Sequence, residues 1–337
     1  MTHRSQLGSQ DRGGSPALAR RGRGAGRLRL TPLLAGTVAA VAVAALVIVL
    51  YGGSAGQRSL TPRSYLGIYV AGVPGSYAGV SAFTTATGVS PGLVVYYSGW
   101  QERFQSGFAR QAAGHGAVPL VQMEPTGVGL AAIASGRYDA YLRSYALAVK
   151  SFGRRVILSF GHEMNGYWYS WGNQHTSPAV FVAAWRHVVT VFRRQGVRNV
   201  TWLWTVNIVD PRGGIGSPGP WWPGNSYVNM VGIDGYYLEP GWTFASLFGP
   251  TIKAVRALTL DPVLISETGA APAVGQPDKI ADLFAGVRAY GLLGFVWFDA
   301  IAHHELPRYG VRDWQLTGPA AFAAFRRGAR AYDRPGA

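Results

Sequence analysis

From residue 65 onward, short apolar runs recur along the chain. There are eight: Tyr65–Val70, Leu93–Tyr97, Val118–Gln122, Val156–Phe160, Val200–Thr205, Val228–Ile233, Pro262–Ile265 and Gly294–Phe298. Each is four to six residues long and lacks the strict polar alternation of a half-exposed strand. That predicts strands covered on both faces, as in a parallel sheet. Between most of them the apolar period lengthens to that of a helix. Residues 101–113 place Phe104, Phe108 and Ala112 four apart, and Tyr138–Phe152 places Tyr141, Tyr145 and Leu147 on one side. The stretch 178–195 begins with Pro178 and is followed by Gly196, the usual start and stop signals of a helix. Residues 277–290 and 319–332 complete the alternation. Strands alternating with helices over residues 64–332 predict an α/β fold, a single (β/α)8 TIM barrel. A doubly wound open sheet is the alternative; no Gly-rich phosphate loop follows the first run to favour it.

Polar and aromatic residues collect after these runs rather than before them. The fourth run stops abruptly at Gly161-His162-Glu163-Met164-Asn165-Gly166, and Tyr167, Trp168, Tyr169 and Trp171 follow. The seventh leads into Ser266-Glu267, the sixth into Asp234-Gly235-Tyr236, the fifth into Asn207, and the third into Glu124. In a barrel these strand ends face one cavity, which is where such folds keep their chemistry. Glu163 and Glu267 form the pair that glycoside hydrolysis requires: one carboxyl protonated to serve the leaving oxygen, the other ionised. His162 and Tyr236 are natural hydrogen-bond partners for them, and aromatic faces beside a carboxyl suit the apolar face of a sugar ring. For Glu124, lining of the distal subsites and a solvated or helix-capping role are both open.

Other chemistries fit less well. The chain has no cysteine, so disulfides, thiolate metal sites and thiol nucleophiles are excluded. His162-Glu163 lacks the second histidine four residues on that a zinc-protease helix carries, and His303-His304 are adjacent. No Gly-x-Ser-x-Gly elbow is present. Neither a metal nor a cofactor is expected.

Ahead of the barrel, residues 1–31 are rich in Gly, Ser and Arg and read as a disordered, basic cytoplasmic tail. Residues 1–30 hold seven arginines and one acid, so this tail supplies +6 of the +15 net charge. Leu33–Tyr51 has no charged residue and is long enough to span a bilayer. Residues 32–51 are therefore expected to form a transmembrane signal-anchor with the positive end inside and the barrel outside. A signal cleaved near Gly53-Ser54-Ala55 is the alternative, giving a secreted protein. Residues 52–63 read as a linker. The basic charge outside the tail forms no Lys/Arg block, so it suits a solvated surface, an anionic glycan or an anionic envelope; no nucleic-acid partner is expected.

FGHEMNGYWYSWG, the stretch from Val180 to Asn207, LISETG and VWFDA together resemble glycoside hydrolase family 26. The resemblance covers most of residues 64–328. It implies a retaining endo-β-glycanase on a (β/α)8 barrel, acting on β-1,4-mannan or glucomannan or on mixed-linkage β-glucan. It implies Glu163 as acid/base, Glu267 as nucleophile, His162 as partner of the acid/base and Tyr236 as the residue orienting the nucleophile. Trp171, Trp204 and Trp297 would be sugar-stacking platforms, with Asn165 and Asn207 in support. Family mannanases usually carry Arg-Pro before the His-Glu and Phe-Trp-Trp-Gly after it. Here the residues are Ser159-Phe160-Gly161 and Tyr169-Ser170-Trp171-Gly172, which leans toward the glucanase-like branch. The end of the fifth strand reads Thr205-Val206-Asn207 where Ser-Pro-Asn is common. The expected partner is a polysaccharide, the expected state a monomer. From a different class, a non-catalytic glycan-binding barrel that tethers an envelope polysaccharide is the rival reading.

Overall fold

The eight apolar runs become eight parallel strands, each hydrogen-bonded to the next, with the last closing onto the first. In the computed structural model, which describes residues 64–210, 214–302 and 312–332, they are β1 (Leu66–Val70), β2 (Leu93–Gly99), β3 (Val118–Glu124), β4 (Val156–Phe160), β5 (Val200–Asn207), β6 (Met230–Asp234), β7 (Val263–Thr268) and β8 (Phe295–Asp299). Leu66–Val70 of β1 pairs in register with Phe295–Asp299 of β8, so the barrel has no open edge. The expectations for 1–31, 32–51 and 52–63, and for His303-His304, lie outside the described residues. Among the described residues no helix is long and apolar enough to cross a membrane.

The helices are α1 (Ala78–Thr87), α2 (Ser106–Gly114), α3 (Leu130–Ala134), α4 (Asp139–Phe152), α5 (Pro178–Arg194), α6 (Phe244–Arg256), α7 (Gln276–Ala289) and α8 (Gly318–Tyr332). Three of these, α1, the five-residue α3 and α6, are not marked by the helical periods of the chain. α1 carries Gly79, Thr84, Thr85 and Thr87, and α6 carries Gly249 and Pro250 in its interior, all poor helix formers. Burial of Phe244, Leu247, Phe248 and Ile252 and a Thr243–Ser246 capping box hold α6 instead. Between β5 and β6 the described residues form two single 3₁₀ turns, 219–221 and 225–227, rather than an α-helix. On α4 the inward residues are Leu142, Tyr145, Ala146 and Val149; Leu147, expected on that side, faces solvent.

Strand parity sorts the side chains into two layers. Leu93, Val95, Val118, Leu120, Ile157, Leu203, Met230, Leu264 and Val296 fill the inside of the barrel. Their neighbours in sequence, such as Val94, Val121, Leu158, Trp204 and Trp297, pack outward beneath the helices. Further up the inner face the residues turn polar. Ser159 Oγ donates to Thr205 Oγ1 across β4 and β5 at 3.1 Å, and Gln122 is buried beside them on β3. Above this layer lies the mouth.

β7 breaks the parity. Ile233 of β6 pairs with Ile265 but Asp234 pairs with Glu267, and on the other side Ile265 pairs with Phe295 but Thr268 with Trp297. Both neighbours therefore see one extra residue in β7, a bulge at Ser266-Glu267. Without it Glu267, three positions from inward-facing Leu264, would point at the helices. With it, Ser266 and Glu267 both turn to the mouth.

Candidate active site

Glu163 lies three residues past the end of β4 with φ +54, in the left-handed region that side chains seldom adopt. The strain, roughly 1–3 kcal/mol, is held by the surrounding bonds. Glu163 N–H donates to Thr205 O at 2.9 Å, and Gly166 N–H donates to Glu163 O at 2.9 Å. Both carboxylate oxygens have donors: the Asn207 side-chain amide reaches Oε1, and Trp168 Nε1 reaches Oε2 at 2.7 Å. Asn207 is itself fixed by Asn165, whose Oδ1 accepts from Asn207 N–H and whose Nδ2 donates to Asn207 O, each at 2.9 Å. Asn165 is fully buried and supports the site from beneath. Gly166 makes room for Trp168: a Cβ there would sit 2.3 Å from Trp168 Cη2.

Across the mouth, Glu267 accepts from two phenols, Tyr97 Oη at Oε1 and Tyr236 Oη at Oε2, the latter at 2.8 Å. Tyr236 stacks on Trp314, centroids 4.6 Å apart. Asp234 is fully buried; Ser266 Oγ donates to its Oδ1, and its Oδ2 has no partner among the described residues.

Electrostatics divides the two glutamates. Burial first, and the charge of Glu267 second, push Glu163 up to about 8 despite its two donors. Burial also raises Glu267, while the Tyr97 and Tyr236 hydroxyls work the other way by stabilising its ionised form. Asp234 goes well above the usual carboxyl range by burial and by the Glu267 and Glu163 charges. Burial lifts Glu124, at the end of β3, to about 7. Burial lowers His162 to about 3, so its ring is neutral. His162 Nε2 lies 3.4 Å from Glu124 Oε1, and neither ring nitrogen has a hydrogen-bond partner among the described residues. His162 thus neighbours Glu124 rather than bonding Glu163, its expected partner. His162, Asp234 and Glu267 each bring a potential ligand atom within 4.8 Å of the others. A cation there would occupy the carboxylate that two tyrosines already hold.

The three tryptophans expected to stack on sugar do not face the mouth. Trp171 is 2% exposed; its Nε1 donates to His162 O at 2.8 Å and its ring stacks on Tyr169. Trp204 is wholly buried because Leu203, Thr205 and Asn207 take the inner face of β5, leaving Trp204 against Trp222 outside. Trp297 is likewise buried; it neighbours inner-face Val296, donates to Trp314 O at 3.1 Å and packs against Phe325 of α8. The partly exposed rings at the mouth are Tyr69, Tyr97, Trp168, Tyr169, Tyr236 and Phe298. Tyr97 was legible: it continues the inner-face series Leu93, Val95 by steps of two. Phe298 follows Val296 in the same way. Trp168 had no periodic signal, because it lies in an irregular loop.

Residues 147–273 match the model of glycosyl hydrolase family 26. The family 26 resemblance holds. Endoglucanase H of Acetivibrio thermocellus is 28% identical over 77% of this chain, which covers 30% of that relative. Mannan endo-1,4-beta-mannosidase A and B of Caldalkalibacillus mannanilyticus is 31% identical over 39% of this chain and 24% of its own length. The chain thus spans less than a third of either of these curated relatives. A mannanase structure from Bacillus subtilis shares the fold with TM-score 0.58 at 16% identity, covering 78% of this chain and 84% of that one. The barrel is therefore similar to the glycoside hydrolases of family 26.

Proposed function

We propose that the chain is a retaining endo-β-glycanase that cleaves internal bonds of β-1,4-mannan, glucomannan or mixed-linkage β-glucan. The observation that carries this reading is the unequal pair of buried glutamates. Glu163, pushed up to about 8, keeps its proton near neutral pH and gives it to the glycosidic oxygen as the bond breaks. Glu267, with two phenol donors, attacks the anomeric carbon and forms the covalent glycosyl-enzyme. Glu163 then deprotonates the incoming water, which releases the sugar with its configuration kept. This mechanism requires the two carboxyl groups about 5–5.5 Å apart in the substrate complex. The tyrosines and Trp168 at the mouth offer the ring faces for the polymer. In the same reading residues 32–51 anchor the protein in the cell membrane with the barrel outside.

The test is release of reducing ends by the full-length chain from glucomannan, galactomannan, mixed-linkage β-glucan and β-1,3-xylan, with Glu267→Ala as control. Release from one polymer that is lost in the variant supports the hydrolase and names its substrate. Binding to a polymer without release by the folded wild type refutes it in favour of a glycan-binding barrel.

A further inference from the structure

The end of the barrel opposite the mouth carries a concentrated positive charge. Lys150 closes α4, and Arg154 and Arg155 follow in the turn to β4; Arg193 and Arg194 close α5, and Arg198 follows in the turn to β5. The two turns are tied together: Lys150 Nζ donates to Gln195 O at 2.9 Å, and Asn199 Nδ2 donates to Arg154 O at 2.8 Å. The six cations therefore form one patch, and all but half-buried Arg155 are exposed. None has a carboxylate partner among the described residues, and the Arg143–Asp139 pair is at the other end of α4. In the described helix-to-strand turns Asp261 is the single acid. Helix dipoles favour a cation at each C-terminus, but they do not account for Arg154, Arg155 and Arg198 beyond the helices or for the lack of acids.

We propose that this end of the barrel docks on an anionic phospholipid bilayer and holds the mouth away from it. Charge complementarity is the first argument: each Lys or Arg near an anionic leaflet strengthens binding about fivefold. Position is the second. β1 begins at this same end, so Ser64 lies there. Ahead of Ser64 in the sequence is the uncharged run Leu33–Tyr51; position in this sense rests on the membrane anchor of the proposed function. A barrel docked this way presents its mouth to a polymer outside.

The absence of cysteine makes a single introduced thiol a clean reporter. Ser151, exposed within the patch, and Ser135, exposed between α3 and α4 at the mouth end, are each replaced by Cys in the full-length chain. The chain is reconstituted in vesicles of phosphatidylcholine, with and without phosphatidylglycerol, and maleimide labelling rates are measured. The proposal expects Ser151→Cys to label several-fold more slowly when phosphatidylglycerol is present, with Ser135→Cys unchanged. Added salt, or replacement of Arg154, Arg155, Arg194 and Arg198 by Gln, returns the rate toward the phosphatidylcholine value. The lipid comparison stands without the four-fold variant, should that variant fail to fold. Equal Ser151→Cys rates in the two lipids overturn the proposal. Slowing that requires a soluble polyuronate instead of the anionic lipid also overturns it and assigns the patch to an anionic glycan.

Discussion

Replacing Tyr236 by Phe removes one oxygen and keeps the ring. The ring keeps its stack on Trp314 at 4.6 Å, so the change isolates the hydrogen bond. That bond, 2.8 Å to Glu267 Oε2, is one of two side-chain donors to the carboxylate. A hydrogen bond to a charged group contributes about 1.5–3 kcal/mol. If it holds Glu267 ionised for attack, its loss lowers kcat/KM by roughly ten- to a hundred-fold, since 1.36 kcal/mol is a factor of ten. The pH dependence gives the sign. Tyr236 favours the ionised form of Glu267, so removing it raises that carboxyl's pKa. The acidic limb of the kcat/KM profile then moves to higher pH, and part of the deficit is recovered as pH rises. The assay is kcat/KM across pH on whichever polymer the wild type cleaves. An unmoved acidic limb, with the same loss at every pH, would refute the reasoning, because the hydroxyl would then act otherwise than by holding Glu267 ionised.

Three further outcomes are expected. Activity falls as pH rises through about 8, where Glu163 loses its proton; Glu163→Gln removes that basic limb along with most turnover of unactivated substrates, read in the same pH series. Gly166→Ala places a methyl 2.3 Å from Trp168 Cη2, displaces the indole from Glu163 and shifts the basic limb, while the thermal midpoint changes little. Trp204→Ala empties a fully buried site and costs about 3–5 kcal/mol of stability, with KM of the folded fraction unchanged, whereas Trp168→Ala changes KM with a small loss of stability; chemical denaturation and kinetics on both variants check this.

The local pattern was enough for the barrel. Eight apolar runs with helical periods between them admit few packings, because each strand must be covered on both faces. It was also enough to bring Glu163 and Glu267 to one place, since the ends of successive parallel strands share a mouth. Parity alone could have excluded Trp204: Asn207 is three residues away on the same strand, so the two cannot share a face. The same parity, applied without the structure, would have turned Glu267 away from the mouth. The bulge in β7 decides that position, and it is visible only in how β6 and β8 pair with β7. The donors on the two glutamates are equally tertiary. Tyr97 lies 170 positions from Glu267 and Asn207 lies 44 from Glu163. The unequal burial and bonding that set the acid apart from the nucleophile arise only when the barrel closes and removes both carboxyls from water.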